Sequence, residues 1–169
     1  MGFARHRQTV PILEQWLRVN RWYGRLLSFY HQADQRRLTS DDFVDYFIAA
    51  YQNLFACRDW LVQTYPNLRS DIQLLFASPE LKLCRDIAIG TKHLRITTPS
   101  VDADFAIVQE HVPTSGVNTT SGSVVFRLLC KGKQYDLRDL LNEGILQVNK
   151  FLYERNIITA RNEVQPFSL

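Results

Sequence analysis

Apolar residues Ile12, Trp16, Val19, Tyr23, Leu27 and Tyr30 recur at steps of three and four, the period that lays one stripe along a helix. Thr9 offers a cap ahead of Pro11, whose fixed φ suits a first helical turn. A second run, Phe43, Phe47, Ala50, Leu54, Cys57 and Leu61, keeps the same period, with Thr39 and Ser40 as caps and Pro66 as a stop near Tyr65. Asp41, Asp42 and Asp45 fall where the positive end of that helix favours carboxylates. Val44, Ile48, Tyr51 and Phe55 widen its apolar face beyond a coiled-coil seam, which implies a bundle.

A short helix around Leu68 to Ala77 follows, and Ser78-Pro79 opens a further one running from Glu80 to about Leu94. The pattern then changes. Thr97 to Ser100 breaks the helix, Ala103 to Ile107 alternates like a half-exposed strand, and Pro113 to Ser123, rich in Thr, Ser, Gly and Asn, reads as a loop. Val124, Phe126, Leu128 and Cys130 alternate with Val125, Arg127 and Leu129, and Lys131-Gly132-Lys133 can turn the chain into a strand through Tyr135. Asp136 caps a last helix that buries Leu137, Leu140, Leu141, Ile145, Val148 and Leu152, with Gly144 a weak point that marks either a close helix contact or, the favoured reading, a tolerated substitution. The tail 160–169 carries no period. The expected fold is a mainly helical α+β domain, a bundle with a small C-terminal antiparallel sheet or hairpin and a closing helix. One domain spans 1–169, its helical part about 9–95 and its hairpin and last helix about 102–156.

Composition agrees with a folded chain: 169 residues, 46% of them apolar, with ten Phe, seven Tyr and three Trp for a core. No apolar run reaches the roughly 20 residues of a membrane span, and the polar start Met1 to Arg7 forms no signal-peptide core, which points to the cytoplasm. Cys57, Cys84 and Cys130 are too scattered for a disulfide framework or a metal pair and read as reduced core thiols. Basic charge gathers at the front, where residues 1–40 hold seven Arg against Glu14 and Asp34. Arg18, Arg21 and Arg25, with Glu14, form a helical row that can touch phosphates or simply solvate an outer face.

The run Leu83 to Leu94 gathers Arg85, Asp86, Lys92 and His93 in one predicted helix. Asp86 and His93 lie within about 20° of one another around the axis but about 10.5 Å apart along it, so no direct hydrogen bond joins them and a second element must complete any site. The plain alternative is packing, with Lys92 and His93 favoured near the negative end of the helix. His6, His31 and His111 make no metal-ligand spacing, and no GxGxxG, GxxxxGK[ST] or GxSxG motif occurs. Trp22 and Trp60 depart from the main apolar stripes, so exposure of either would mark a partner surface.

The segment resembles the signature of HEPN-type helical domains, an Arg followed by Asn or Asp and then a His. It is closer still to small bacterial proteins in which Arg-Asp-x-Ala leads to Lys-His, matched here by Arg85, Asp86, Ala88, Lys92 and His93. Seven residues separate Arg85 from His93, one more than the usual HEPN spacing. The resemblance implies a metal- and cofactor-independent endoribonuclease acting as a homodimer. His93 would be acid or base, Arg85 would stabilise phosphate charge and Asp86 would orient a partner across the interface. Arg18, Arg21, Arg25 and Lys92 would hold RNA. It equally implies the alternative found among such domains, a non-catalytic dimerisation or protein-interaction module.

Overall fold

The computed structural model describes residues 10–31, 40–90, 99–101, 105–113 and 122–159. Helix α1 (Pro11–His31) and helix α2 (Ser40–Thr64) form an antiparallel pair. One 3-10 turn (Pro66–Leu68) leads into α3 (Arg69–Leu75), and α4 (Pro79–Gly90) returns along α2. Strands β1 (Ala106–Pro113), β2 (Gly122–Cys130) and β3 (Lys133–Asp136) make an antiparallel sheet in that order, and α5 (Leu137–Glu154) closes the fold. The mainly helical architecture with a small sheet and a closing helix is therefore as the hydrophobic pattern predicts. The expected caps Thr9 and Thr39, the helix extension to Leu94 and the tail 160–169 lie outside the described residues.

Ile12, Trp16, Val19 and Tyr23 of α1 are buried against Phe47, Ala50, Leu54, Cys57 and Leu61 of α2. The next core position of α1 is Leu26, fully buried, where the sequence pattern had selected the half-buried Leu27. Leu26 stands seven residues from Val19 and so stays within about 20° of its line, whereas Leu27 lies about 80° off it. Tyr23 Oη donates to Asn142 Oδ1 at 2.5 Å and Tyr51 Oη to the Leu137 carbonyl at 2.6 Å. These bonds give the hydroxyls of two buried aromatics partners on α5.

Phe126, Leu128 and Cys130 point from one face of β2 into the same core, the period-2 alternation of a half-buried strand. Lys131 and Gly132 both have positive φ, 49° and 72°, as a two-residue turn that matches strand twist requires. The β1 strand differs from expectation, running from Ala106 to Pro113 instead of ending at Ile107. Continuous pairing with β2, from Ala106↔Leu129 to Pro113↔Gly122, carries the strand through Gln109-Glu110-His111, which lack an apolar rhythm of their own. Pairing thus overrides local pattern. It also takes Pro113, Gly122 and Ser123 out of the predicted loop, while 114–121 and the predicted strand residues Ala103 and Asp104 lie outside the described residues.

Asp136 caps α5 as predicted, its carboxylate accepting from the amides of Arg138 at 2.8 Å and Asp139 at 3.2 Å. Ser78 likewise caps α4 through the Leu81 amide and also donates to Gln147 on α5. Gly144 is not a neutral interruption. A Cβ there would stand 3.0 Å from Leu54 Cδ2, 3.1 Å from Cys84 Sγ and 3.3 Å from Leu81 Cδ2, so α5 approaches α2 and α4 at the one residue without a side chain.

Candidate functional site

The helical period of α4 puts Leu83, Cys84, Ile87 and Ala88 inside and leaves Arg85 on the flank. Asp86 is buried with them, 2% exposed. Its Oδ1 accepts from the Ser100 amide at 2.8 Å and its Oδ2 from the Val101 amide at 2.6 Å. Arg85, a quarter exposed, places Nη1 3.2 Å from Asp86 Oδ1 and also donates to Ser100 Oγ. A carboxylate meeting two backbone N–H groups in the core forms strong charge-assisted bonds. Arg85 and Asp86 together clamp the 99–101 segment onto α4, and both carboxylate oxygens are engaged in doing so. His93 and Lys92 lie outside the described residues, so the spacing from Asp86 to His93 stays a matter of sequence.

The arginine row of α1 has a different setting. Arg18 donates to Gln15 Oε1 at 3.2 Å, and its guanidinium sits 5.4 Å from the Trp60 ring centroid. Arg25 lies 4.5 Å over the ring of Trp22, whose centroid is 6.1 Å from that of Tyr46. Arg21 is exposed between them. Trp22 and Trp60 are half-buried, each covered on one side by an arginine. Tyr46, Asn53 and Trp60 follow one another every seven residues on α2, which aligns them along its seam with α1.

Three participants escaped the sequence pattern. Gln15 is 2% exposed, and its Nε2 donates to the Asn53 carbonyl at 2.8 Å and Asn53 Oδ1 at 3.2 Å. Its position four before Val19 places it in the buried stripe of α1, and a polar side chain there needs a dedicated partner. Ser100 and Val101, the other half of the clamp, left no such signal because backbone amides carry no side-chain identity.

Cys57, Cys84 and Cys130 are buried and unbridged. Burial pushes the Cys57 and Cys84 thiols far up, with Glu80 adding to the shift at Cys84, so neither supplies a thiolate nucleophile near neutrality. No helix among the described residues is long and apolar enough to cross a membrane.

These features define a mainly helical α+β chain with an inward-facing Arg–Asp clamp on α4 and an arginine–tryptophan edge on α1 and α2. No protein-family model, curated protein or solved structure matches it.

Proposed function

We propose that this chain is a HEPN-like, RNA-associated helical module that is non-catalytic and holds single-stranded RNA along the α1–α2 edge. The observation that carries the reading is the placement of Arg18 on Trp60 and Arg25 on Trp22, with Arg21 exposed between them. A guanidinium stacked on a ring keeps its in-plane N–H donors for phosphate oxygens, and the half-buried indoles beneath hold Arg18 and Arg25 in place. The non-catalytic branch is favoured because Asp86, the residue the HEPN resemblance would use to orient a partner, has both oxygens on the Ser100 and Val101 amides. Its three buried, unbridged thiols suit a reducing, cytoplasmic setting. Homodimerisation remains part of the resemblance and is read out in the same work by sedimentation.

Fluorescence anisotropy with labelled single-stranded RNA tests the edge. Binding should weaken with salt, and each of Arg18→Gln, Arg21→Gln and Arg25→Gln should lower the log–log salt slope by about 0.7 per lost phosphate contact. A triple variant that binds like the parent overturns the edge. Incubating the same RNA in excess chelator tests the rest: cleavage that disappears on His93→Ala would restore the endoribonuclease reading, with Arg85 on the phosphate, Lys92 on the RNA and His93 as acid or base.

A further inference from the structure

We propose that a separate cleft between α2 and α3 binds a phosphoryl group. The cleft has a volume of about 360 Å³ and is lined by Arg58, Asp59, Val62 and Gln63 of α2 and by Arg69 and Gln73 of α3. The four α2 residues fall at i, i+1, i+4 and i+5, and the two α3 residues at i and i+4, so each helix turns one coherent face to the cleft. Each wall contributes one guanidinium and one amide side chain.

Charge argues for an anion. Among the described residues, no carboxylate lies within ion-pair distance of Arg58 or Arg69. Asp59 is the one acidic residue lining the cleft. Asp71, the nearest acid to Arg69 along α3, is committed to Arg155 at 2.5 Å and lines a separate cavity between α3 and α5. Two guanidinium charges against one carboxylate leave the lining net positive, which favours an anion. Two guanidinium forks and two amide groups offer donors in more directions than one planar carboxylate accepts from, and suit the tetrahedral oxygens of a phosphate. The remaining volume accommodates the moiety that carries it.

This site goes beyond the RNA-binding edge and does not depend on it. Arg58 and Val62 each lie about 160° around α2 from Trp60, so the cleft faces a different direction from the α1–α2 seam. The phosphoryl group can belong to an RNA end or to a small phosphorylated metabolite, and the experiment separates these sources.

The folded chain is titrated with inorganic phosphate and followed by NMR at the amides of Arg58, Gln63, Arg69 and Gln73. Saturable shifts with a Kd at or below about 1 mM are expected, and Arg58→Gln and Arg69→Gln should each weaken binding about tenfold. Lys133→Gln, the same charge loss on β3, should leave binding unchanged. A nucleoside monophosphate and RNA oligomers with 5′-phosphate or 5′-hydroxyl ends are then compared. Tighter binding of the 5′-phosphate oligomer assigns an RNA end, whereas equal affinity for the monophosphate and that oligomer assigns a free metabolite. Phosphate binding that survives in the Arg18, Arg21 and Arg25 triple variant shows that the cleft stands when the RNA edge does not. Shifts that fail to saturate in the parent, or a folded Arg58→Gln/Arg69→Gln double variant that binds like the parent, would overturn the proposal.

Discussion

Replacing Asp86 by Ala removes the acceptors of the Ser100 and Val101 amides, at 2.8 and 2.6 Å, and the partner of Arg85 at 3.2 Å. A hydrogen bond to a charged group contributes about 1.5–3 kcal/mol net, so the two amide bonds alone set a range of about 3–6 kcal/mol. Two effects pull the value toward the bottom of that range. Burying the carboxylate had its own desolvation cost, which the substitution relieves. Arg85 is a quarter exposed and Ser100 half-buried, so water reaches part of what is left unpaired. The expected loss for Asp86→Ala is about 3 kcal/mol, a large share of the roughly 5–15 kcal/mol that holds such a domain together. Asp86→Asn keeps one carbonyl oxygen but turns an amide donor toward a backbone donor, and should cost about 2 kcal/mol. Urea unfolding followed by tryptophan fluorescence measures the loss, and hydrogen exchange at Ser100 and Val101 locates it. A loss below about 1 kcal/mol with unchanged protection of those two amides would refute the clamp. The folded Asn variant should bind RNA as the parent does, which separates an architectural Asp86 from a functional one.

Three further outcomes follow from the packing. Gly144→Val drives a branched side chain into Leu54, Leu81 and Cys84, which a Cβ alone would meet at 3.0–3.3 Å, and should cost about 2–3 kcal/mol in urea unfolding despite better helix propensity. Asp136→Ala strips the cap from α5 and should cost about 1 kcal/mol, with the earliest hydrogen exchange at the Arg138 and Asp139 amides. The buried thiols should resist a thiol reagent until the chain unfolds. Their folded values are raised, so the unfolded state releases protons first: the stabilisation is complete below the ordinary thiol value of 9.0 and is lost as pH rises above it. Cys57→Ala should reduce that alkaline slope in urea midpoints taken between pH 8 and 10.

The helices were legible because their signals are local. Ser78, Asp136 and the apolar period of α2 act within a turn or two of the chain, and each predicts its element closely. The extent of β1 was not legible, because Gln109 to His111 are held in a strand by residues of β2 more than a dozen positions away. Gly144 left two readings open for a related reason: a glycine inside a helix fits a tolerated substitution or a close contact, and only the side chains of two other helices closing on it decide for the contact. At the candidate site, sequence located Arg85 and Asp86 in one helix but could not say which partners they would find. A carboxylate beside an arginine is compatible with an open reaction centre or with a closed clamp, and only the Ser100 and Val101 amides distinguish them.

With Asp86 engaged by those amides, α2 carries both surfaces proposed for binding. Phe47, Ala50, Leu54, Cys57 and Leu61 anchor this helix in the core, while Tyr46 and Trp60 face the arginine edge and Arg58, Asp59, Val62 and Gln63 face the cleft toward α3. Two polar surfaces mounted on one buried helix are held in fixed relation, because neither can shift without repacking the core. If one RNA strand spans both surfaces, removing Arg25 should alter the penalty for removing Arg69, since losing one anchor changes how the strand meets the other. If the cleft serves a free phosphorylated molecule, their effects on RNA affinity should add, with Arg69→Gln contributing close to nothing. A double-mutant cycle on Arg25 and Arg69, read by RNA anisotropy, therefore separates one continuous binding path from two independent sites: coupling above about 0.5 kcal/mol indicates the path, and additivity indicates separate ligands.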